Sequence, residues 1–117
     1  MSLDSRNIFI KAKFHLVNVT WIYPENGDGS SEWRYVGLGD EIRKNDLLLQ
    51  IIDFFGEEDD LYLVRGRRNS GQLASPEVAD SILSLIGEDF IICDLHFWKF
   101  MHFYKVGVMR MGERKGA

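Results

Sequence analysis

The sequence predicts an α+β domain: a mainly antiparallel sheet of about five strands with two helices packed on one of its faces. Two observations carry this expectation. Short runs rich in Ile, Val, Phe, Trp and Tyr are separated by turn-forming residues, as strands are. Two other stretches place apolar residues at helical spacing between start and stop signals. The resulting order, β-β-α-β-α-β(-β), matches no superfold signature. With 117 residues, 45% hydrophobic and 27% charged, the chain reads as a single globular domain spanning 1–117.

The first element expected is a strand over residues 7–23. Ile8, Ile10, Ala12, Phe14 and Leu16 alternate with Lys11, Lys13 and His15, and the apolar parity then shifts to Val17, Val19 and Trp21, as a bulge would make it. A polar loop at 24–31 leads to a short strand at 32–36, expected to be the return arm of a hairpin. A helix follows, with Asp40 as N-cap, a core stripe of Leu48, Ile51, Ile52 and Phe55, and Gly56 as its stop. The acids at 57–60 form a linker, 61–64 is a third strand, and 65–72 is a polar loop. Ser75 as N-cap, Pro76 at the first helical position and Glu77 open a second helix that Gly87 ends. Residues 90–95 are a fourth strand. The stretch 96–111 fits a helix through Phe97, Phe100, Met101 and Tyr104, but its aromatic and β-branched content favours strand.

Charge is unevenly placed. Residues 25–60 hold eleven acids and three bases, a balance of −8, whereas the rest hold seven acids and eleven bases, a balance of +4. An acidic segment of that kind steers basic partners. The acidic balance and a pI near 5.3 argue against nucleic-acid binding. No window reaches the ~20 apolar residues of a membrane span, so no membrane partner is expected. The beginning of the chain lacks the pattern of a secretory peptide. A single cysteine, Cys93, cannot form an internal disulfide, and a cytoplasmic location is expected.

Residues 90–104, FIICDLHFWKFMHFY, hold six of the fifteen aromatic residues and two of the three histidines. On one strand Asp94 and His96 share a face, so the carboxylate could orient the imidazole as a general base requires; these are the catalytic candidates. His96 and His102 are about 20 Å apart on a strand and fall on different sides of a helix, so they are not co-ligands. No metal or cofactor is expected, since no zinc motif occurs. Gly37-Leu38-Gly39 lacks the third glycine of a dinucleotide fingerprint, with Ile42 in its place, and the loop after Asn26 lacks the glycine and glutamate of a calcium loop. Arg65, Arg67 and Arg68 form the dense basic cluster, a candidate anion-binding group.

Three functional readings follow. The first is a small acidic protein-binding module, of the inhibitor or immunity type, that covers a basic partner. Its candidate contacts are Glu57, Glu58, Asp59, Asp60, Trp98 and Tyr104. The second is an enzyme using Asp94 and His96 in an aromatic-lined pocket. The third is a homodimeric ligand-binding or structural domain whose aromatic strand forms the interface. The absence of a complete catalytic motif favours a non-enzymatic role.

Overall fold

In the computed structural model the described residues are 3–23, 31–35, 44–56 and 60–114. The elements run α1 (Ser5–Leu16), β1 (Val19–Ile22), β2 (Arg34–Tyr35), α2 (Lys44–Phe55), β3 (Asp60–Val64), β4 (Gly71–Ala74), α3 (Ser75–Leu83), β5 (Phe90–Asp94), β6 (Lys99–Tyr104) and β7 (Val108–Arg114). The class is the α+β expected, but among the described residues the sheet has seven strands and the helices number three. Strand order is β1-β7-β6-β5-β3-β4, with β2 also on β7, and every strand pair is antiparallel.

The first expected strand is largely a helix. Asp4 caps α1, its carboxylate accepting from the Asn7 amide at 2.8 Å, which satisfies one of the amides a helix start leaves unpaired. The alternation at 8, 10, 12, 14 and 16 misleads because two residues on a helix turn through 200°. Ile8 and Ala12 therefore make one row, buried on the sheet, while Ile10 and Phe14 make the opposite row and face out. Only residues 19–22 of that stretch are strand.

The return-arm expectation also changes. β1 and β2 do not pair with each other: β1 lies along Met111–Arg114 of β7 and β2 along Val108 and Met109, end to end on one edge. Gly112 lets β1 approach, since a Cβ there would run into the Thr20 carbonyl oxygen and stand 2.7 Å from Val19 Cγ1. Asp40, the Gly37-Leu38-Gly39 turn and the loop at 24–30 lie outside the described residues.

The two helices expected on one face are there, and α1 covers part of the other. Leu47, Ile51 and Phe55 of α2 and Val78 and Ile82 of α3 pack against Leu61, Leu63, Ile92, Met101 and Phe103. On the opposite face Ile8 and Ala12 of α1 pack with Tyr62, Val64, Ile91, Cys93, Phe97 and Phe100. Strands β3 and β5 are thus buried on both faces, which is why they read as unbroken apolar runs rather than alternating ones. The loop at 65–72 is shorter than expected because Gly71 begins β4 on the free edge of β3. The N-cap of α3 is Ala74 rather than Ser75, and the helix ends at Leu83 with Ser84 as its C-cap, before Gly87 turns the chain at φ 105°.

Candidate functional site

The apolar run at 90–104 is two strands and the turn between them. β5 ends at Asp94 and β6 begins at Lys99, so Asp94 and His96 do not share a strand face. Instead the Asp94 carboxylate builds the turn. Its Oδ1 accepts from the Trp98 and Lys99 amides, both at 2.7 Å, and its Oδ2 from the His96 amide at 3.4 Å. The Phe97 amide donates to the Asp94 carbonyl at 3.1 Å. Phe97 has φ 59°, a left-handed conformation that a bulky side chain adopts at a cost of order 1–3 kcal/mol. Burial holds it there: the ring stacks on Tyr62 at 5.3 Å and lies 5.7 Å from His15.

Driving Phe97 inward leaves its neighbours outside. His96 is exposed and Trp98 is 39% exposed. Arg114 braces both from β7. Its Nε donates to the Phe97 carbonyl at 2.9 Å, an Nη to the His96 carbonyl at 3.2 Å, and its guanidinium carbon lies 4.0 Å from the centre of the Trp98 ring. Beside the turn, Leu61 pairs with Asp94 across the sheet, which brings Asp60 next to it. Asp60, Asp94, Leu95 and His96 line a cleft of about 330 Å³. Asp60 accepts from Gln72 Nε2 at 2.7 Å, and among the described residues neither Asp60 nor Asp94 has a salt-bridge partner. Glu57, Glu58 and Asp59, which precede Asp60, lie outside the described residues.

The remaining candidates are dispersed. Arg65, Arg67 and Arg68 stand at the other end of β3 from the cleft, roughly 17 Å away along the strand. Arg65 pairs with Glu88 at 3.8 Å. His15 at the end of α1 has its pKa lowered by burial first and then by Arg114 and Lys11. Cys93 is buried and desolvation pushes its thiol far above the usual range, so it is no nucleophile. Among the described residues no group of His, Cys, Asp and Glu is arranged to hold a metal ion.

Of the aromatic residues at 98, 100 and 104, Phe100 is buried under α1, whereas Trp98 and Tyr104 reach solvent. Tyr104 belongs to a second cluster that the sequence did not announce. Arg110 of β7 lies between two indoles, its guanidinium carbon 3.8 Å from the Trp21 ring centre and 4.6 Å from that of Trp33. It pairs with Glu32 at 3.1 Å, and Trp33 lies 5.9 Å from the Tyr104 ring. Trp21 lies in β1 and Trp33 just before β2, and Glu32 is 78 residues from Arg110, so no local spacing signals the cluster. Arg114 was equally silent, its partners being carbonyls 17 and 18 residues away.

No protein-family model, curated protein or solved structure matches the chain.

Proposed function

We propose that the chain is a protein-binding module of the inhibitor or immunity type, and that it meets a basic partner at the β5–β6 turn. The observation that carries this reading is the cleft, where Asp60 and Asp94 stand without a described cation beside the half-exposed Trp98. A lysine or arginine of the partner entering there meets an acidic cleft, while Trp98, backed by Arg114, offers the aromatic anchor typical of binding hot spots. Glu57, Glu58 and Asp59 precede Asp60 in sequence and add to the charge that attracts such a partner.

The Asp94 carboxylate is spent on three backbone amides, which suits a rigid recognition turn better than an acid–base pair with His96. Affinity capture from the source cell, at low and high salt, tests the proposal. The wild-type chain should retain a basic protein at low salt, and Asp60→Lys together with Trp98→Ala should release it. Retention of the same protein by the double variant would count against this site.

A further inference from the structure

We propose that the outer face of α1, with the loop at 65–70 beside its first turn, is a docking surface for an anionic lipid bilayer. α1 is apolar on two sides. Ile8 and Ala12 are buried on the sheet, yet Ile10, Phe14 and Val17 on the far side are 43%, 69% and 82% exposed. A surface helix normally carries one apolar stripe, turned to the core; α1 carries a second, and nothing described covers it. At 100° per residue, Arg6 and Lys13 flank the outer stripe on one side and Lys11 on the other. That is the arrangement of a helix lying in a membrane interface, with an apolar strip inward and cations at headgroup level on both flanks.

The charged surface extends past the helix. Ser5 Oγ donates to the Arg67 carbonyl at 2.9 Å and accepts from the Ser70 amide at 2.8 Å. This pins the loop carrying exposed Arg67 and Arg68 against the first turn of α1. Across the sheet the pattern reverses: the described charged side chains of α2 and α3 are Asp46, Asp53, Glu77 and Asp80, all acids. The described charges of this chain, of net charge −4, are therefore polarised, and an anionic surface would orient it with α1 inward. Cations at the edges of an apolar strip match the headgroup level of an anionic bilayer. The contact is one of lying on a bilayer. No described helix is long and apolar enough to cross one.

The test is co-sedimentation of the full chain with phosphatidylcholine vesicles, alone or containing about a third phosphatidylserine. Binding should appear only with the anionic vesicles. Lys11→Glu with Lys13→Glu should weaken it at least about tenfold, and Phe14→Ser with Val17→Ser should do the same. All four side chains are exposed, so circular dichroism should show both variants folded. Equal binding to neutral and anionic vesicles, binding to neither, or anionic binding that survives the Phe14 and Val17 changes would overturn the proposal. If vesicles fail and a cross-linker on Lys11 or Lys13 captures an acidic protein, the face serves a protein partner and the bilayer reading falls.

Discussion

Arg110 donates from its Nε to the Nδ1 of His102 at 3.2 Å, across the β6–β7 pair in which the two residues face each other. The bond requires an unprotonated Nδ1, and it places a cation beside the imidazole. The same guanidinium lies between Trp21 and Trp33 and pairs with Glu32, so one side chain fastens β1 and β2 to the edge of the sheet.

Arg110→Lys keeps the charge but loses the planar stack and the forked hydrogen bonding. It should cost about 1–2 kcal/mol. Arg110→Ala also leaves the Glu32 carboxylate, 23% exposed, without its partner, and should cost about 2–4 kcal/mol. Urea midpoints measure both, and loss of tryptophan near-ultraviolet dichroism would locate the damage at the stack. Equal stability of all three chains would show that the sandwich contributes nothing.

The pH dependence follows from the same contact. Burial first, then Arg110 and Lys13, with Asp89 opposing, holds the His102 pKa down at about 4 against an ordinary 6.5. Between those values the unfolded chain binds a proton that the folded chain refuses, so stability falls as pH falls through this window and is flat above it. That lowering corresponds to roughly 3 kcal/mol, which solvent screening should reduce to on the order of 2 kcal/mol. Stability measured from pH 7.5 to 4 should show this slope, and His102→Gln should remove most of it. His15, shifted the same way, supplies a residue of the slope. An unchanged profile in His102→Gln would place the acid sensitivity elsewhere.

How much of this was legible follows the range of each interaction. The strands expected at 61–64 and 90–95 are legible because burial on both faces leaves unbroken apolar runs. α1 misleads because its apolar residues occupy two opposite rows, and two rows of i, i+4 residues at this spacing look like a strand's alternation. Asp4, the capping signal, stood outside the window that alternation drew. The β5–β6 turn was hidden because it is made by an aspartate and a phenylalanine at φ 59°, with no glycine or proline in its six residues. The Trp21–Arg110–Trp33 stack depends on strand order, which no local pattern carries.

Gly112 gives a test of the edge packing. A Cβ there collides with the Thr20 backbone, so Gly112→Ala must push β1 off β7 or strain both. A loss of about 1–3 kcal/mol is expected, with faster amide exchange in residues 19–22. Gly71 on the opposite edge strand is the control, since a Cβ there meets nothing within 4 Å, and Gly71→Ala should stay within about 0.5 kcal/mol of wild type. Similar losses at both positions would mean that the close approach of β1 is not the cause.

Phe97 separates strain from packing. Its ring is buried against Tyr62 and His15, so removing it should cost about 3–5 kcal/mol. Its backbone, at φ 59°, suits glycine and penalises any residue with a Cβ. Alanine and glycine lose almost the same side chain, but only glycine relieves the backbone. Phe97→Gly should therefore be more stable than Phe97→Ala by about 1 kcal/mol, the reverse of the order found where φ is negative. The amides of Trp98 and Lys99, which Asp94 holds, should stay better protected from exchange in the glycine variant. If alanine proves the more stable, the turn relaxes to negative φ once the ring is gone, and packing of Phe97 rather than the Asp94 hydrogen bonds sets the shape that exposes His96 and Trp98.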